Sequence, residues 1–182
     1  MKEKQTRRRT LFFSDFVAFH HDDVILENGM KAERVMLDHV GAVAVLPITV
    51  DGEAILVKQF RYAIQQDLLE IPAGKLDNKN ESIEACARRE MQEESGYVAD
   101  HLIKVADVYS SVGISNERIR VFVAFNATYQ AQALDEGEFV DVVKVELETL
   151  IEQAYSGMIE DAKTMLALMH AAQLIHKKGT VK

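Results

Sequence analysis

The hydrophobic and polar positions change rhythm along the chain. Gly41–Thr49 (GAVAVLPIT) is a nearly continuous apolar run of strand length. Such a run fits a strand buried on both faces. Asp51-Gly52 follows as a hairpin turn, and Ala54–Phe60 reads as the return strand. Upstream, Leu11–His20 is rich in Phe and Val, while Asp22–Glu27 and Lys31–Asp38 flank Asn28-Gly29, a type I′ hairpin signal. Asp67–Pro72 is short and extended, because Pro72 biases Ile71 away from helix. Further strands are predicted at Ile103–Tyr109, Arg118–Asn126 and Phe139–Val145.

Elsewhere the period lengthens. Asn80–Ser95 reads as a helix, with Asn80 as N-cap and Gly96 just past its end. Leu147–Tyr155 and Ile159–His176 read as two closing helices. In the last, Ile159, Ala162, Met165, Leu166 and Met169 recur at helical spacing and are taken as core. Strands, a helix, more strands and two helices predict an α+β fold, a sheet sandwiched by helices. No repeat or linker divides the chain, so residues 1–40 are assigned to an N-terminal β extension and 41–182 to the main domain.

Composition narrows the function classes. At 182 residues the chain can bury a sizeable core. No apolar run is long enough to span a membrane and no secretory leader is visible. The single cysteine, Cys86, cannot form an internal disulfide, so a reducing, cytoplasmic setting is expected. The net charge of −8 argues against a general nucleic-acid binder. Lys2, Lys4, Arg7, Arg8 and Arg9 run against that balance and are read as a solvated tail.

The chemistry concentrates in Arg89–Tyr97 (REMQEESGY). On a helix, Glu90, Glu93 and Glu94 fall on one side, while Ile83, Ala87 and Met91 face the other. Like charges at i,i+4 cost about 0.2–0.5 kcal/mol each, and anions at a helix C-terminus oppose the macrodipole. Most Glu-rich helices merely present a solvated face. A hard cation would reverse both penalties, and Mg²⁺ prefers carboxylates, waters and phosphate. Arg89, i,i+4 to Glu93, is placed to hold it.

Gly74, Glu81, Arg89-Glu90, Met91, Glu93-Glu94, Gly96 and Tyr97 together resemble the Nudix box. One residue more than the family pattern separates Gly74 from Glu81, and Tyr97 is aromatic where an aliphatic residue is usual. The resemblance covers nearly the whole chain and is closest to the ADP-ribose pyrophosphatase branch. Gln59–Tyr62, Leu69–Asp77, Asp135–Phe139 and Ile159–Thr164 carry it. It implies the Nudix fold, an α/β/α sandwich with a mixed sheet, and a homodimer built on the N-terminal extension. It implies Mg²⁺, with Mn²⁺ as an alternative, ligated by Glu90, Glu94, the Ala73 carbonyl, Glu93 and Glu138. Glu136 is the implied base, and Glu93, held by Arg89, is a further ligand or an orienting carboxylate among the catalytic residues. Arg61, Arg118 and Glu70 are the candidate substrate contacts. Val112 stands where the branch commonly has proline, which widens the expected substrate from ADP-ribose to nucleoside diphosphate sugars. Alternatives are a nucleoside triphosphate sanitiser and a catalytically silent nucleotide-sugar sensor.

Overall fold

A computed structural model describes residues 2–76, 80–134 and 136–179. The first three strands, β1 (Lys4–Phe13), β2 (Val17–Ile25) and β3 (Lys31–His39), form their own antiparallel sheet. The main sheet runs β11 (Asp141–Glu146), β5 (Glu53–Arg61), β4 (Ala42–Thr49), β10 (Arg118–Tyr129), β8 (Tyr97–Val98). β6 (Gln66–Glu70), β7 (Ala73–Lys75) and β9 (Leu102–Tyr109) pair with β5, β4 and β10. β10 and β4 are parallel and the other pairs antiparallel, so the sheet is mixed.

The continuous apolar run at β4 has a direct cause. Ala44, Leu46 and Ile48 point into one core, with Leu150 and Ala154 of α2 (Leu147–Tyr155) and Ala167, Leu168 and Ala171 of α3 (Ala162–Gly179). Val43 and Val45 point the other way, onto Cys86, Ala87 and Met91 of α1 (Ile83–Ser95). Both faces of the strand are therefore dry, and helices cover the sheet on both sides.

Several boundaries differ from expectation. α1 is capped by Ser82, whose hydroxyl accepts from the Ala85 N–H at 3.1 Å, rather than by Asn80. Its inner stripe is Cys86, Ala87 and Met91, with Ile83 exposed on the first turn. α3 starts at Ala162, because Asp161 accepts from the Thr164 N–H at 3.0 Å and caps it. Met169 of that helix is exposed, and Ile159 is buried ahead of it. The β2–β3 connection is not a two-residue turn. The Leu26 N–H bonds to the Met30 carbonyl, and only Gly29 has positive φ. The basic tract is a strand and not a tail. Arg8 makes a bidentate bond to the buried Asp22 at 2.9 and 2.7 Å, and Arg9 reaches Asp23. Acidic partners on β2 thus draw basic residues into a sheet.

The N-terminal sheet is tied to the rest of the chain at its last strand. The Leu37 N–H donates to the Ile114 carbonyl, and Asn116 bonds both Asp38 and the His39 N–H. This brings His39 and Phe16 to the rim of the cleft described next.

Candidate active site

The cleft has a volume of about 590 Å³ and lies between α1, β7 and the start of α3. One wall is acidic. α1 must end near β7 for its carboxylates to reach the cleft, and Gly96 ends it. The Gly96 N–H bonds the Gln92 carbonyl from a left-handed conformation, φ 76°. Gly74 supplies space on the other side. A Cβ there would lie 1.8–2.2 Å from the Glu90 carboxylate. Glycine is thus needed for close approach, not for backbone freedom.

Burial separates the box carboxylates. Glu94 is buried, and one oxygen accepts the Ala73 N–H at 2.8 Å. Burial pushes its carboxyl up to about 7, and Glu90, Glu138 and Glu70 push the same way against the Ala73 bond. Arg89 holds the others. It donates to Glu81, to Glu90 at 2.8 Å and to Glu93 at 2.7 Å. These contacts, Glu81 first, raise its pKa above the ordinary arginine value. Arg89 and Glu81 are therefore an internal clamp that aims the neighbouring carboxylates.

Two cations, Arg61 and Lys163, also line the cleft. Glu70 is fully buried at the end of β6 and accepts two bonds from Arg61, at 2.6 and 2.7 Å. Lys163, from the first turn of α3, bonds the same carboxylate and reaches Asp161 at 3.0 Å. The bond to Glu70 is the main cause of the upward shift at Arg61. One buried carboxylate thus fixes two cations in the cleft lining. Thr164 locks the helix start to the residue just after β6 by accepting from the Ile71 N–H at 2.9 Å.

The family model for the NUDIX domain matches residues 38–168. The chain belongs to the NUDIX family. It is 39% identical over 172 residues to the "ADP-ribose pyrophosphatase" of Bacillus subtilis (strain 168), covering 93% of this chain and 92% of the relative. It is 34% identical over 171 residues to the "Methanol dehydrogenase activator" of Bacillus methanolicus, with the same two coverages. Its fold is that of the crystal structure of an ADP compounds hydrolase, with a TM-score of 0.84 at 20% identity over 100% of this chain and 98% of that one.

As a Nudix hydrolase, the chain carries its box on β7, the segment after it and α1. Asp77, within the box entry, lies outside the described residues. So does Asp135 of the acidic segment between β10 and β11. Of the site residues expected from sequence, Arg61, Ala73, Arg89, Glu90, Glu93, Glu94 and Glu138 all line the cleft. Glu70 stands behind it, on Arg61 and Lys163. Glu136 is exposed and outside the lining. Arg118 is also outside it, paired with Asp107 at 2.6 Å and set over the Tyr109 ring. Sequence reasoning gave no role to Lys163, His39 or Glu117, which also line the cleft. Lys163 stands in a run that carried the resemblance, whereas His39 and Glu117 had no such signal.

The donor set suits a divalent cation. It is made of oxygen, as hard cations require, and its charge exceeds what Arg89 neutralises. Burial is the main cause of the raised Glu94 carboxyl, and the neighbouring Glu90, Glu138 and Glu70 add to it.

Proposed function

We propose that this chain hydrolyses the pyrophosphate bond of ADP-ribose or a related nucleoside diphosphate sugar, giving a nucleoside monophosphate and a sugar phosphate. The observation that carries the reading is that one cleft holds both kinds of charge. A carboxylate cluster shares it with two cations fixed by one buried carboxylate. The cations bind phosphate oxygens, and Arg61 does so in a set orientation. Glu90, Glu94, the Ala73 carbonyl, Glu93 and Glu138 would hold Mg²⁺, with Mn²⁺ as an alternative. Bound there, the metal would neutralise phosphate charge and make water acidic. Water oxygen then bonds to one phosphorus, the bridging P–O bond breaks, and the leaving phosphate keeps the electron pair. Glu136, two residues before Glu138 on the same exposed segment, would take the water proton once substrate is bound. The high identity to a relative named for ADP-ribose puts that compound first.

The test is a product assay with Mg²⁺ against ADP-ribose, other nucleoside diphosphate sugars and nucleoside triphosphates. Turnover of a diphosphate sugar, abolished by chelator, is the expected result. Preference for triphosphates would replace this reading with a sanitising role. Tight binding with no turnover would replace it with a sensor.

We also infer a homodimer. Leu11, Phe12 and Phe13 on β1 are between 58% and 74% exposed, a hydrophobic surface that needs cover. Light scattering at micromolar concentration should give twice the chain mass. A monomer with full activity would refute it.

A further inference from the structure

The cleft carboxylates come from two separate elements. Glu90, Glu93 and Glu94 stand on α1, whereas Glu138 stands between β10 and β11. Their mutual placement therefore depends on how the chain beyond β10 is fixed to the helix.

A helix ends with carbonyls that lack partners within it. In α1 the chain leaving β10 supplies them. The Ala133 N–H donates to the Glu93 carbonyl at 3.0 Å. The Gln132 side-chain amide donates to the Glu94 carbonyl at 2.7 Å. Just beyond, the Gln130 N–H meets the Gly96 carbonyl at 2.8 Å. Gly96 makes the approach possible, since a Cβ there would lie 2.9 Å from the Gln132 nitrogen and 3.1 Å from Ala131. Gln132 has a second contact. The same amide nitrogen reaches the Val140 carbonyl at 3.4 Å, on the return toward β11. An amide NH₂ carries two donors, so both contacts can be served together. Glu138 is exposed and follows Gly137, which sits at φ 91°. Glycine gives that stretch little stiffness of its own.

We infer that Gln132 is a positioning residue for the hydrolysis, registering Glu138 against the α1 carboxylates by tying Glu94 to Val140. The inference rests on the hydrolase reading above. It also gives the box glycine a second task, since Gly96 ends the helix and admits the segment after β10 that leads to Glu138. A plain helix cap would contribute stability alone. A positioning residue must act on turnover through Glu138, and that difference can be measured.

The experiment uses the full chain and two variants, Gln132→Leu and Gln132→Glu. The second keeps the side-chain length if the first folds poorly. Steady-state kinetics are run on the best nucleoside diphosphate sugar, in the wild-type and Glu138→Gln backgrounds. In the wild-type background kcat should fall about 10- to 100-fold with KM within about twofold. In the Glu138→Gln background the same change should cost less than about twofold, because coupled residues are not additive. Hydrogen exchange on the metal-free protein gives a readout independent of turnover. The peptide around Glu138 should exchange about fivefold faster, the loss of one hydrogen bond, with the first turns of α1 unchanged. Equal losses of kcat in both backgrounds overturn the inference, and so does unchanged exchange around Glu138. If the wild type turns over no compound tested, the hydrolase reading fails by itself, and exchange still decides whether Gln132 holds this segment.

Discussion

Two regions of the molecule gather carboxylates around an arginine, and they differ in what they leave unbalanced. On the N-terminal sheet, Arg9 contacts Asp23 at 3.2 Å and Glu33 at 3.9 Å, with His21 against both Arg9 and Glu33. Among the described residues this is the group whose His, Asp and Glu ligand atoms all lie within 4.8 Å of one another. In the cleft, Arg89 contacts Glu81, Glu90 and Glu93, and the buried Glu94 stands beside them with its carboxyl raised to about 7. The first group is tighter, but a guanidinium already occupies it and Glu33 is open to water. The second is more open, yet it keeps negative charge that burial makes costly. On the proposed reading, unrelieved charge rather than the closest spacing would mark the place for a cation.

The sharpest way to break that comparison is to remove charge from the second region. Glu90→Gln or Glu94→Gln should lower kcat/KM about 1,000-fold, since a metal site supplies several kcal/mol of transition-state stabilisation. Chelator should abolish turnover in the unaltered chain. Full activity with chelator in excess would mean that the carboxylate surplus serves something else.

A smaller effect sharpens the role of placement. Gly74→Ala puts a methyl group where the Glu90 carboxylate now lies. The carboxylate is the far end of a flexible side chain, so it can swing aside and leave the fold intact. Turnover should drop about 100-fold, the cost of moving a reacting or ligating group by about an ångström, while the thermal midpoint changes little. Unchanged turnover would show that Glu90 need not sit against β7.

Much of this arrangement was legible in the sequence, and the reasons are local. The β4 run and the span of α2 follow from the apolar pattern. The acidic face of α1 follows from i,i+3 and i,i+4 spacing. The β1 strand was not legible, because its arginines read as solvated until Asp22 and Asp23 are set opposite them. The Asn28-Gly29 turn misled because the hairpin uses a longer connection. Ser82 and Asn80 are both competent caps, and local sequence does not choose between them. The pair of cations on Glu70 was half legible. Arg61 and Glu70 were marked, but Lys163 meets Glu70 across a separation of 93 residues, which no periodicity records. Gln132 is hidden in the same way, since its partners are backbone carbonyls on other segments.

The burial of Glu94 should also show in stability, without any substrate. The Glu94 carboxyl stands at about 7 in the folded chain, above its ordinary value of 4.5. The folded state therefore holds this proton more tightly than the unfolded chain does. Its contribution favours the fold below about pH 4.5, declines as pH rises, and is lost above about 7. Glu94→Gln has no proton to lose and can still accept the Ala73 N–H. Without metal, at pH 8, the variant should be more stable than the parent by about 1–3 kcal/mol. The gain should shrink toward zero near pH 4.5. Denaturant unfolding of both proteins in chelator, at pH 8 and pH 5, measures the difference directly. Equal stability at both values would mean that the charge is already relieved without a cation.

The smallest effect is expected in the other region, where Glu33 is open to water. Glu33 is 68% exposed at its side chain, and its contact with Arg9 is long. Exposed pairs of this kind contribute about 0–1 kcal/mol, because water screens them and both side chains lose freedom on pairing. Glu33→Gln also leaves Arg9 its bond to Asp23. The variant should keep turnover within about twofold, shift stability by less than about 1 kcal/mol, and show no change in how Mg²⁺ raises the thermal midpoint. The contrast with Glu94→Gln is the point of the measurement, as both changes remove one carboxylate charge beside an arginine. Should Glu33→Gln lose the Mg²⁺-dependent rise in midpoint, the N-terminal group would be a cation site. Close spacing would then outweigh unrelieved charge.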